Sequence, residues 1–126
     1  MGFLSNMLPQ RYTDALCMLA AYKDVDELRN FFDDEMDIDR HHSEIEGSAL
    51  VFASMNGRID NVDFLLAKGA TEVLVAILSA KKERDDYSSG RLKHMIIPSE
   101  QKVKEFDEVI KILERFAHRS LPNPFE

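Results

Sequence analysis

One thiol and four imidazoles are the groups of this chain best suited to chemistry. Cys17 is the single cysteine, and His41, His42, His94 and His118 are the histidines. A thiol becomes a nucleophile when a base or cation beside it stabilises the thiolate. Nothing in the spacing brings Cys17 to an imidazole, and its apolar neighbours favour a small buried thiol. Asp33, Asp34, Glu35, Asp37 and Asp39 are five acids in seven residues, which suggests a hard cation. A calcium loop of the EF-hand kind needs a glycine at its sixth position, and this run has none. His41-His42 with Glu44 suggests zinc, but adjacent histidines diverge and zinc takes three or four converging ligands. A Gly-rich phosphate loop, an HExxH and a G-x-S-x-G are all missing. The expectation is a protein that is not an enzyme and uses no cofactor and no metal.

Charge points to the class of partner. The chain has 126 residues, 44% of them hydrophobic, and a net charge of −7. Residues 1–47 hold eleven acids against four bases, whereas residues 48–126 hold twelve of each. Phosphate backbones attract clustered Lys and Arg, so nucleic acid is not the expected partner. An acidic first half steers a basic protein surface instead, or serves as a solvated face that keeps the chain soluble. No apolar run approaches the ~20 residues of a membrane span. The start, Met1–Asn6, lacks the basic residues of a signal peptide. One cysteine permits no internal disulfide, which agrees with a reducing compartment.

The elements that must carry these groups are short helices. Gly47–Thr71 reads as two of them with glycine punctuation. Ser48 suits the N-cap of the first, and Leu50, Ala53 and Ser54 share a face. Asn56-Gly57 ends it. Asp60 suits the cap of the second, where Val62, Leu65 and Leu66 form the apolar stripe, and Gly69 closes it. Neither is long enough to be stable alone in water, so the pair must stack on something.

A step of 34 residues back from Ser48 finds the pattern again. Thr13 or Asp14 caps a helix reaching about Tyr22. Asp24 caps a second to about Asp34, with Leu28, Phe31 and Phe32 in register with Val62, Leu65 and Leu66. A hairpin follows near residues 36–46. After Gly69, a helix runs from Thr71-Glu72 to about Arg84, and Arg84–Ser99 is the best loop of the chain. Its apolar His94-Met95-Ile96-Ile97 folds back as a lid or meets a partner. Ser99 caps a last helix from Glu100 to about Arg119, with Val103, Phe106, Ile110, Leu113 and Ala117 on one face. Phe3, Leu4, Met7 and Leu8 suit a cap on the open end of the stack, or a dimer contact.

Gly47–Thr71 resembles an ankyrin repeat. Gly47, Ser48-Ala49-Leu50-Val51, Ala53-Ser54, Gly57, Val62, Leu65-Leu66 and Gly69-Ala70 stand at the family's positions. The departures are Ser-Ala-Leu-Val for Thr-Pro-Leu-His, Ser54 for the second Ala and Thr71 for the Asp. The family period is about 33 residues. The resemblance implies an all-α fold, a short ankyrin-like helical repeat stack with capping helices. It forms one domain over 1–126, with units about 13–46, 47–70 and 71–119 and a tail over 120–126.

The resemblance also implies a function. Ankyrin-like stacks bind proteins through a concave face of inner helices and hairpin tips. Carried onto this chain, that face comprises Met18, Tyr22, Phe52, Met55 and Asn56 on helices and Arg40, His41 and His42 at the tip, with Asp37 and Asp39 flanking it. The expectation is an adaptor or inhibitor that binds a larger, basic protein. The other reading is a helical protein that uses its apolar ends to homo-oligomerise, as a homodimer for instance. Small ankyrin-like proteins occur among secreted bacterial effectors, so the implied compartment is the cytoplasm, or the host cytosol for an effector.

Overall fold

Six helices make up the computed structural model, which describes residues 8–89 and 100–120. They are α1 (Pro9–Tyr22), α2 (Val25–Phe31), α3 (Ala49–Met55), α4 (Ile59–Ala67), α5 (Val73–Ser89) and α6 (Glu100–Ser120). No strand occurs among the described residues. The helices pack as two layers: α1 lies on α3 and α3 on α5, while α2 lies on α4 and α4 on α6. Within each consecutive pair the two helices also touch. The short α3 sits centrally, against α1, α4, α5 and α6.

Local signals account for several helix ends. Asp24 caps α2 by accepting from the Glu27 N–H at 3.0 Å, with Asp26 and Glu27 favourably placed in the first turn. Gly57 (φ +67°) and Gly69 (φ +99°) lie just past α3 and α4 in the left-handed region that glycine tolerates. A side chain at Gly57 would also press on Lys102 and Glu105 of α6.

Other ends differ from expectation. α1 begins at Pro9, ahead of Thr13, because proline suits the first helical turn and its φ is already set. Thr13 is therefore buried inside α1, and Asp14 turns to the following loop. α2 stops at Phe31, short of Asp34. Ser48 occupies the N-cap of α3, yet its hydroxyl makes no cap bond and is buried without a partner. Arg58, not Asp60, holds the N-cap of α4, and Asp60 lies in its first turn. The expected hairpin is a loop of turns without strands, in which the His42 N–H donates to the Gly47 carbonyl at 3.0 Å.

The largest difference is at Arg84, where a loop was expected and α5 continues to Ser89. Contacts with α6 hold this extension. Arg84 pairs with Asp107, Tyr87 lies 5.6 Å from the Phe106 ring, and Lys82 pairs with Asp86 one turn along α5. The segment His94–Ile97, the cap Ser99, Met1–Met7 and the tail from Leu121 lie outside the described residues.

The core is continuous across the layers. Leu16, Leu28, Leu50, Val62, Leu65, Phe106, Val109 and Leu113 are essentially inaccessible to solvent. Polar bonds register one helix pair on the next. Asn61 of α4, buried, donates to the Ala20 and Lys23 carbonyls at 2.9 and 2.8 Å, where α1 ends. Arg58 donates to the same Lys23 carbonyl. One pair further on, Lys102 of α6 donates to the Asn56 carbonyl at the end of α3. The ends of α1 and α3 thus each have a carbonyl met by a side chain of the next helix pair.

Two substitutions check this account. Leu65→Ala should lower the unfolding free energy by roughly 2–5 kcal/mol through the cavity it leaves. Asn61→Ala should cost about 1–3 kcal/mol, since it strips the Ala20 carbonyl of its buried donor and leaves the Lys23 carbonyl to Arg58 alone. Urea unfolding followed by circular dichroism measures both, and a midpoint unchanged from wild type in either variant would contradict the packing described.

Candidate protein-binding surface

The exposed side of α1 is built from residues three or four apart: Leu8, Arg11, Ala15, Met18 and Tyr22. Tyr12, Leu16 and Ala20 fix its orientation by facing the core. Tyr12 is held most firmly. Its ring stacks on Phe31 at 5.1 Å, and its hydroxyl accepts from the Asp33 N–H at 2.8 Å. Burial pushes the Tyr12 phenol up to about 12. The apolar stripe therefore points outward, with Tyr22 63% and Met18 42% exposed. Large exposed side chains of these types are the kind that anchor protein interfaces.

The other expected site residues separate into exposed and committed groups. Arg40 and Asp37 are exposed. Asp39 is engaged, because its carboxylate accepts from both the N–H and the hydroxyl of Thr71 at 2.9 and 2.7 Å. His41 Nε2 lies 2.9 and 2.8 Å from the two oxygens of Glu72, and its carbonyl accepts from Gln10 at 2.8 Å. His42 stacks on Phe52 with ring centroids 5.4 Å apart, and its Nδ1 accepts from the backbone of Glu44 and Ile45. Phe52 is only 4% exposed, which corrects its expected place on an open surface. Met55 packs partly buried against the core. Asn56 is half-buried and donates to the Phe52 carbonyl.

The structure thus brings the tip residues together by folding the loop back onto the helices. Gln10, His41 and Glu72, each 31 residues from the next, tie it to the start of α1 and the approach to α5. Asp14 adds a further tie by accepting from the Ser43 N–H and hydroxyl. Sequence reasoning missed Gln10, Asp14, Ser43, Glu72 and Thr71 as anchors. The equal 31-residue spacing of Gln10, His41 and Glu72 was a readable signal for two of them. The acid run has a local use as well: Asp33 accepts from the Glu35 N–H and Asp37 from the Asp39 N–H, which closes turns.

Cys17 is buried, with its sulfur 4.0 Å from the Gly47 carbonyl. Burial first, then the Asp14 charge, pushes its thiol up to about 12. Such a thiol holds its proton and is a poor nucleophile or metal ligand at neutral pH. Among the described residues no three His, Cys, Asp or Glu side chains converge as a metal site. No described helix is long and apolar enough to cross a membrane. Comparison with known proteins finds no matching family model, no matching curated protein and no matching solved structure.

The Asp14 tie makes loop attachment pH-dependent. The Ser43 hydroxyl is the main group holding the Asp14 carboxyl below the usual carboxylate range, with Gln10, the Ser43 N–H and His42 assisting. A lowered folded-state pKa contributes stability above the ordinary carboxylate pKa of about 3.9 and loses it as pH falls through the depressed value. Amide exchange at Ser43 should therefore be protected at neutral pH and speed up in acid relative to the helix amides. Asp14→Ala should remove that protection at every pH. Equal exchange in the variant and wild type would show that the tie does not hold the loop.

Proposed function

We propose that the chain is a non-catalytic protein-binding module, an ankyrin-like adaptor or inhibitor acting within the cytoplasm or a host cytosol. The reading rests on one observation above others. Tyr22 and Met18 stand exposed, one turn apart, on a helix whose opposite side is locked into a packed core. A helix already fixed by its packing loses little backbone entropy on binding. Asp37 on the adjacent loop and the acidic first half of the chain favour a partner with a basic surface. The repeat-like layering of helix pairs supports the same reading, because stacked pairs leave one face of the inner helices open.

A second reading, homo-oligomerisation, has its own observation. Leu74, Val75 and Leu78 are exposed together along α5, at the other end of the inner layer. Sedimentation separates the two. A monomer that Leu78→Asp leaves unchanged favours the adaptor, and an oligomer that Leu78→Asp dissociates favours self-association.

Met18→Ala combined with Tyr22→Ala should leave the urea midpoint close to wild type, because both side chains are solvent-exposed. The same pair should weaken binding to a partner recovered from the native extract by more than ~2 kcal/mol if both are hot spots. Asp37→Lys should mainly slow association, and less so at high salt. A double variant that binds its partner with wild-type affinity would remove α1 from the interface.

A further inference from the structure

A second surface, away from α1, has the build of a peptide cleft. Ile112, Arg115, Phe116 and Arg119 recur at i, i+3, i+4 and i+7 along the end of α6. Across from them stand Asp63, Leu66 and Ala67 of α4, and together the two helices enclose a cleft of about 290 Å³. Sharing Phe116 with it is a second cleft of about 340 Å³, lined also by Ala70, Val73, Leu74 and Ala117. Phe116 lines both, so two mostly apolar recesses share one aromatic ring.

The rim of the first cleft carries two arginines and one aspartate. Several other cations are already engaged: Lys68 with Asp34, Lys81 with Glu114, Arg84 with Asp107 and Lys111 with Glu108. Arg115 and Arg119 are exposed and have no ion-pair partner among the described residues. The helix dipole favours a cation in the last turn, which accounts for Arg119 but not for Arg115, more than a turn earlier. Asp63, on the opposite wall, is exposed too and does not neutralise them. Partial burial first, and then the neighbouring Asp60, pushes its carboxyl up.

We propose that this double cleft binds a short peptide segment of another protein, with large apolar side chains in the two recesses and an acidic residue against Arg115 and Arg119. Two recesses that share Phe116 suit two apolar side chains of a peptide. Guanidinium groups recognise a carboxylate in a planar, two-pronged geometry, and two of them a turn apart widen the target. Asp63 opposes the same ligand, so the carboxylate sits on the α6 side. This surface does not depend on the α1 reading, since it shares no residue with the Met18–Tyr22 stripe.

The test pans the full-length chain against a phage-displayed library of random dodecapeptides, then measures an enriched peptide by fluorescence polarisation. Enriched sequences should combine Asp or Glu with two large apolar residues. Arg115→Glu with Arg119→Glu should raise Kd by roughly tenfold or more, and Asp63→Asn should lower it about two- to threefold. Raising salt should weaken wild-type binding, which tests the electrostatics even if the double variant fails to keep its helical circular dichroism. Enrichment without acids, or affinity indifferent to both salt and the arginines, overturns the proposal. So does binding to phosphatidylglycerol vesicles with no peptide enriched, which would make the ligand a lipid. Peptide binding seen only in a chain ending at Ser120 would assign the cleft to the chain's own terminal segment and equally overturn it.

Discussion

Asn61 carries the constraint on which the rest of the structure depends. The last carbonyls of α1 lie beyond its own helical hydrogen-bond ladder. The buried Asn61 amide meets two of them from α4, thirty-eight and forty-one residues away. A helix end buried without such partners would cost more than the burial around it returns. Once Asn61 is in place, α4 has one position relative to α1, and α3, which lies between them in sequence, is held with it. Lys102 repeats the arrangement one pair later.

The loop between the first two helix pairs follows from that registration. With α1, α3 and α5 side by side, Asp14, Phe52, Thr71 and Glu72 come within reach of one segment. Ser43, His42, Asp39 and His41 use them in turn. The acidic and histidine-rich segment is therefore mostly structural. Its carboxylates close turns and hold neighbours, and its imidazoles pack or pair. What stays exposed is Met18 and Tyr22 on α1 and Arg40 and Asp37 in the loop, with a separate cleft beside Phe116.

The thiol illustrates how the same packing settles chemistry. Cys17 has the composition of a nucleophile and the surroundings of a core residue. Its nearest polar partner is a weak one, the Gly47 carbonyl, and the only charge acting on it is negative. Both effects stabilise the protonated form.

Read alone, the sequence determined what local physics controls. The helical class follows from apolar spacing, as does the apolar side of α6. The cap at Asp24 and the stops at Gly57 and Gly69 follow from backbone preferences acting within one or two turns. The burial of Leu50, Leu65 and Leu66 followed from the same stripes. Only the tertiary structure decided that α5 continues past Arg84, where Arg84 meets Asp107 and Tyr87 meets Phe106. It also turned Asp39 and His41 from recognition groups into anchors and buried Phe52 beneath His42. A side chain's own neighbours in sequence cannot specify a partner some thirty residues away; the stacking of the helices brings the two together.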